Sequence, residues 1–429
     1  MNGNLERLLQ KYTSDRRIKE LVRQLNSGED DTVRIIISGI TGAIDSLVLS
    51  ALYQADSRSH LFIGDDKDDA AYFQNNVSNL LEKVVHFLPD SFKRPKKFED
   101  LDSSNILQRT EIVNKISSTK KEKGEIIVSY PESIFEKVVS PIVLDKHRLE
   151  IITKEKLNVK TIIEVLTEYD FRREEFVSEP GQFSIRGAII DIFSYGNEWP
   201  YRIELFDEEV ETIRTFDPLT QLSQQNISKV SIIPNINTRF THKEKVSLFQ
   251  VLPQNTIIWV RDLQDFIERI QNCFDEAFRF ANTISALDKS ELAEIFRDRA
   301  FIRPADVIES IQRFPIICLS NRKQPIPFPI HITLNSKPQP SFNKNFSLLI
   351  NDFTSNQTQG IESFLFAENP RQIERFYSIF EDLNAKIDFH PIPTALHQGF
   401  IDLDAKVACY TDHQIFDRFH RFKIRQGFF

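Results

Sequence analysis

Cysteine is scarce in this chain, with only Cys273, Cys318 and Cys409 in 429 residues. Widely spaced and odd in number, they supply neither a disulfide framework nor a zinc-ligand pattern, which fits a reducing compartment. No run of about 18 apolar residues occurs, so no membrane-spanning helix is expected. The first residues, Met1-Asn2-Gly3-Asn4-Leu5-Glu6-Arg7, read as a charged helix start and not as a signal peptide, so a cytoplasmic protein is expected. Positive charge is also short. A net charge of −8 argues against a chain that coats nucleic acid by bulk electrostatics. The small basic clusters, Lys93-Arg94 with Lys96-Lys97 and Lys120-Lys121-Glu122-Lys123, read as solvated loop faces. The nine histidines show no ligand spacing, and His413 and His420 read as surface or packing residues. No Ser-His-Asp or Cys-His constellation is found, so no catalytic residue, metal site or cofactor is assigned.

What is present is ordinary globular material, 41% apolar and 27% charged. At this length two to four domains are expected. Leu5, Leu8, Leu9 and Tyr12, then Ile18, Leu21, Val22 and Leu25, follow helical spacing and predict two short amphipathic helices. Strand–turn–helix units follow at 33–52, in "HLFIGDDKDDAAYFQNNVSNLLEK" and in "GEIIVSYPESIFEKVV", where Pro131 sits near a helix start. Alternating strands and helices predict a parallel sheet with crossover helices, an α/β fold. Past residue 150 the pattern changes. One helix in "KEKLNVKTIIEVLTEYDF" precedes the strands "GQFSIRGAIIDIFS", "YRIELF" and "VETIRTFD", an antiparallel meander of a small α+β domain. Helices around the strand "NTIIWV" return from about 239 to 340. The Pro- and Asn-rich "KPQPSFNKN" (337–345) reads as a linker to two further strand–helix units. The last of these ends in a basic, aromatic helix with no cap, which reads as the cut end of a longer protein.

The unit at 35–52, "IIISGITGAIDSLVLSAL", has the layout of a phosphate-binding loop. Gly39-Ile40-Thr41-Gly42-Ala43-Ile44-Asp45-Ser46 keeps the first Gly and the closing hydroxyl, Ser46. Ile44 stands at the second Gly position, and Asp45 replaces the Lys that would reach the phosphates. Asp45 places negative charge where phosphate would sit, at a cost of about 1 kcal/mol even when screened. A strand-end acidic pair would complete an ATPase site, and in "IIWVRDLQ" the corresponding residues are Arg261 and Asp262. Asp262 reads more simply as a helix N-cap. The loop is expected to keep its fold without turning over ATP, though an anion at the helix N-terminus stays possible.

In "PYRIELFD" alternate side chains share a face, so Tyr201, Ile203 and Leu205 are core candidates. Arg202, Glu204 and Phe206 then lie opposite, with Phe206 exposed. Arg186, one strand earlier, could reach the same side. Two Arg and a Phe on an open sheet face match the composition of protein–protein hot spots. The alternative for each arginine is a solvated cross-strand partner, Glu204 or Glu211. Gly187 reads as a strand glycine at a bulge or close approach, and together with Asp191 it is taken as structural.

Residues 180–223, "PGQFSIRGAIIDIFSYGNEWPYRIELFDEEVETIRTFDPLTQLS", carry a long pattern shared by the excision-repair protein UvrB and the bacterial transcription-repair coupling factors (Mfd). The whole chain resembles the N-terminal part of that coupling-factor family. "VVHFLPDSFKRPKKFEDLDSSNILQ" has no Tyr-rich insert like the strand-separating hairpin of UvrB, which favours the coupling factors. The resemblance implies a degenerate RecA-like domain at 1–145 with 239–340, an inserted UvrA-binding α+β domain at 146–238, and a small α/β domain of unknown role at 341–429. It implies that Arg186, Arg202 and Phe206 contact UvrA, recruited by mimicry of UvrB in transcription-coupled nucleotide excision repair. It also implies no enzymatic activity for this segment, the family's RNA-polymerase-binding domain and ATP-driven DNA translocase lying further along the chain. The alternative is a UvrB-like or helicase fragment with residual nucleotide or DNA binding.

Overall fold

The computed structural model describes residues 3–27, 33–92, 102–117, 123–146, 149–195, 199–232, 245–285 and 300–418. The basic clusters at 93–97 and 120–122, and His420, lie outside them.

The chain is mixed α/β. Helices Gly3–Thr13 and Arg16–Asn26 bury the residues whose spacing predicts them, Val22 only in part, and the Asp15 carboxylate caps the second by accepting from Arg17 N–H. A seven-stranded sheet follows, in the order Ile330–Thr333, Arg34–Ser38, Ile316–Cys318, Ile257–Val260, His60–Ile63, Ile126–Ser129, His86–Phe87. Every pairing in it is parallel. His60–Ile63, Ile126–Ser129 and Ile257–Val260 are buried at every position, as strands covered on both faces must be. This sheet takes strands from both sides of residues 149–232.

Those intervening residues form their own sheet of six strands, ordered Ser223–Ile227, Glu209–Phe216, Tyr201–Phe206, Ile189–Phe193, Gln182–Arg186, Arg172–Arg173. Its strands pair antiparallel apart from the last, short one. Helix Val159–Glu168, capped by Asn158, buries Ile162 and Leu166 in a cluster with Phe183, Ile190, Ile192, Ile203 and Ile213. One face of the sheet is thus core, and the opposite face carries the polar alternates. Gly187 is not inside a strand. It lies at φ +63 in the two-residue turn between Gln182–Arg186 and Ile189–Phe193, where a positive φ is needed.

The C-terminal residues build a five-stranded mixed sheet, ordered Ser336–Pro338, Phe400–Asp402, Val407–Thr411, Glu362–Phe366, His390–Ile392. Helices Phe346–Thr358 and Pro370–Asp382 contribute Phe353 and Phe376 to a core on one side. The expected linker at 337–345 therefore begins within a strand, Ser336–Pro338 pairing with Phe400–Asp402, because the sheet needs an edge there. Among the described residues, Asp412–Ile415 is helical and a turn follows at Phe416–Asp417, and the rest of the expected helix lies outside them.

One buried group gives the fold a pH signature. His60 is fully buried, and its Nδ1 accepts from Trp259 Nε1–H at 3.0 Å. Burial pushes its pKa down from 6.5 to about 3. The unfolded chain therefore takes up a proton that the folded chain refuses. Stability is full above about pH 6.5 and falls toward pH 3, by about 1.4 kcal/mol per pH unit. Urea midpoints should drop between pH 6.5 and 5, and the drop should flatten in His60→Gln. Equal slopes in the two proteins would remove His60 as the cause.

Candidate functional site

The outer face of the six-stranded sheet collects the residues that the sequence singles out. Strand Tyr201–Phe206 alternates as expected, with Tyr201, Ile203 and Leu205 buried and Phe206 75% exposed. Asp191 lies directly across from Arg202 on one side and Ser184 on the other. Arg186 is two residues beyond Ser184, on the diagonal to Asp191. The geometry brings both arginines onto the same carboxylate. Arg202 donates Nε–H to Asp191 Oδ1 at 2.8 Å and Nη2–H to Oδ2 at 2.9 Å, while Arg186 Nη2–H reaches Oδ2 at 2.5 Å. Asp191 is completely buried.

This corrects the expected cross-strand partners. Glu204 instead accepts from Arg214 and Thr212, each at 2.8 Å. The pairing Asp191↔Arg202 is a matter of strand register, which the string of residues alone does not give. Asp191, read from the sequence as structural, anchors both arginines, and its signal is an acidic residue amid the apolar run "AIIDIF".

The two arginines are not equivalent. Arg202 is tied down, with Nη1–H donating to the Gln221 carbonyl at 3.1 Å and the guanidinium 4.5 Å over the ring of buried Phe216. Its side chain is 15% exposed, and the hydrogen bonds to Asp191 raise its pKa. Arg186 is more open at 34% and lies 5.1 Å from the ring centre of Phe176. Phe176, Leu219 and Leu222 are exposed apolar side chains on the segments that touch these arginines. Leu219 is raised on a turn held by the Asp217 carboxylate, which accepts from the Leu219 and Thr220 N–H groups. Exposed aromatic and aliphatic groups around charge-assisted, partly buried arginines are the make-up of an interface centre.

The phosphate-like loop has a different chemistry. It joins strand Arg34–Ser38 to helix Ile44–Ala55, with Gly39 at φ +74 and Gly42 at φ +55. Asp45 and Ser46 are buried. The Asp45 carboxylate accepts from Ser46 N–H at 2.5 Å and from Ser46 Oγ at 3.1 Å. An internal anion thus sits at the helix N-terminus, where the dipole and a free N–H favour negative charge. Its second oxygen pairs with Arg261 Nη1, and Arg261 also grips Asp69 through Nε and Nη2 at 3.1 and 2.9 Å. The guanidinium lies 5.0 Å from the Phe62 ring centre. Burial disfavours its charge, but Asp45 and Asp69 outweigh that and raise its pKa. Asp262 accepts from Asp265 N–H, Ser320 Oγ and Gln324 Nε2, which fits the N-cap reading. Among the described residues no group of three or more His, Cys, Asp or Glu is arranged to hold a metal ion, and no helix is long and apolar enough to cross a membrane.

Residues 149–237 match the family model of the UvrB interaction domain. The chain is similar to the transcription-repair-coupling factor of Staphylococcus haemolyticus, 30% identical over 200 residues, 46% of this chain and 17% of that protein. The Escherichia coli transcription-repair-coupling factor is 22% identical over 240 residues, 55% of this chain and 20% of that protein. UvrABC system protein B of Yersinia enterocolitica is 25% identical over 228 residues, 50% of this chain and 34% of that protein. These matches therefore span between a sixth and about a third of the relatives' length.

Arg261→Ala leaves Asp45 buried without its cation and should cost about 3–5 kcal/mol in urea unfolding, whereas Asp45→Asn with Arg261→Met should cost clearly less than the sum of the single changes. Additive losses would show that the two groups do not depend on each other.

Proposed function

We propose that this chain recruits UvrA, acting in transcription-coupled nucleotide excision repair by offering the sheet face that UvrB offers. The observation that carries this reading is Phe206, an aromatic left exposed on the strand that also carries Arg202, within the residues that match the UvrB interaction domain. An exposed aromatic on a sheet that also carries ordered arginines has the composition of an interface anchor. Phe206 and Arg186 are the groups that touch the partner. Arg202 is a positioning residue, saturated by Asp191 and Gln221, that keeps the sheet face in shape.

The rest of the proposal follows the same resemblance. The parallel sheet descends from a RecA-like nucleotide-binding domain, spanning 1–145 and 239–340, into which the recruiting domain at 146–238 is inserted. The loop at 39–46 turns over no ATP, since its anion position belongs to Asp45 and its cation, Arg261, follows strand Ile257–Val260, two strands away. This segment is not an enzyme. Contacts with RNA polymerase and the DNA translocase activity belong to other regions of proteins of this kind.

Calorimetric titration of UvrA tests the reading. Phe206→Ala and Arg186→Ala should each weaken binding by about tenfold or more, and Phe206→Ala should leave the unfolding midpoint unchanged. Arg202→Ala should weaken binding and also lower stability, because it strips a buried carboxylate of its main donor. Binding untouched by Phe206→Ala and Arg186→Ala would place the partner elsewhere. Titration with Mg-ATP should give no heat, and saturable binding would favour a residual nucleotide switch.

A further inference from the structure

The loop at 39–43 is occupied, and its occupant is a turn of the same chain. Ala43 N–H, a loop amide of the kind that cradles phosphate, donates to the Gln398 carbonyl at 3.1 Å. A Cβ on Gly42 would collide with the Gly399 carbonyl oxygen. On its other side, Ser336 Oγ donates to the Gly39 carbonyl at 2.5 Å and lies 2.8 Å from Thr41 Oγ1. The helix beside the loop completes the seat. Asn76 Oδ1 accepts from His397 N–H at 2.8 Å, and its Nδ2 reaches Ser46 Oγ at 3.3 Å. Asn79 Nδ2 donates to the Ala395 carbonyl at 2.9 Å. The Tyr72 ring stacks on His397 at 3.5 Å between centres. Beneath this turn the second face of the five-stranded sheet, with Phe364, Phe366, Phe400 and Cys409, shares one core with Ile44, Leu47, Leu5 and Leu9.

We propose that the vestigial phosphate loop has been converted into the docking seat of the C-terminal domain, with the Gln398 carbonyl of the 395–399 turn in the place of a phosphate oxygen. Carbonyl oxygens are acceptors without net charge, so they suit a loop that has lost its Lys and already holds a carboxylate. Gly39 and Gly42 then serve a close backbone approach by protein instead of nucleotide. The C-terminal domain has a task of its own in this arrangement, because while seated it bars any nucleotide from the loop. A second lock supports the seat at a distance. Asp402, buried on the strand that follows the turn, accepts both Nη groups of Arg17 at 3.1 and 2.8 Å and the Tyr12 hydroxyl at 3.0 Å. The first two helices and the last sheet are thereby held as one body.

Amide hydrogen exchange on the whole chain tests the seat, independently of any UvrA binding. In the wild type, Ala43 and residues 395–399 should exchange slowly, and millimolar Mg-ATP should change neither. Asn79→Ala removes one bond across the seat and should speed exchange on both sides together by about three- to tenfold, the effect of losing one neutral hydrogen bond. Gly42→Ala should speed both sides further. Exchange in residues 182–216 should stay constant in both variants, which separates unseating from general unfolding. Fast exchange at Ala43 in the wild type would overturn the proposal, as would variants that loosen only the loop while 395–399 stays protected.

Discussion

The guanidinium of Arg261 between Asp45 and Asp69 is the interaction around which the first half of the molecule is arranged. A carboxylate buried at a helix start needs both donors and a counter-ion, or its desolvation would destabilise the fold by several kcal/mol. Ser46 supplies the donors and Arg261 supplies the charge. The three residues come from the start of one helix, the start of another and the end of a central strand, so their meeting fixes how the sheet and its crossover helices align. The charges are also reversed relative to a working nucleotide site, with the anion on the loop and the cation just past Ile257–Val260, two strands away from the loop's own strand.

The same solution recurs twice. Asp191 is buried beneath Arg202 and Arg186, and Asp402 is buried against Arg17. Each carboxylate is satisfied by a bidentate or paired guanidinium, the geometry in which such pairs are strongest. The consequences differ with the surroundings. At Asp402 the pair is sealed between helices and sheet and joins the two ends of the chain. At Asp191 it lies at the surface of an open sheet, so that the arginines present an ordered, partly desolvated platform to whatever docks there. A rigid platform loses little entropy on binding, which is an advantage for a recruiting surface.

The loop at 39–43 has the layout of a phosphate-binding loop and presents its Ala43 amide to the Gln398 carbonyl of the C-terminal turn. Val177 packs with Phe193 and Phe216 over part of the outer face of the inserted sheet, while Phe206 stays exposed. The amphipathic helix Val159–Glu168 covers only the inner face, because its apolar side chains lie on one stripe.

Much of this was legible in the sequence. Period-3.6 spacing at Leu5–Tyr12 and Ile18–Leu25 located the first helices, and period-2 alternation in "YRIELF" assigned Phe206 to the open face, because side-chain direction follows from local backbone geometry. The missing Lys and the Asp45 in its place were equally plain in the string. Long-range pairing was not. Nothing local says that Arg202 faces Asp191, that Arg261 reaches Asp45 across 216 positions, or that the stretch at 336–338 is a strand. Residue type and spacing determined which elements form and which faces are apolar. Tertiary structure alone decided which charge meets which and what fills the old phosphate site, because register and packing are set by contacts between segments distant in the chain.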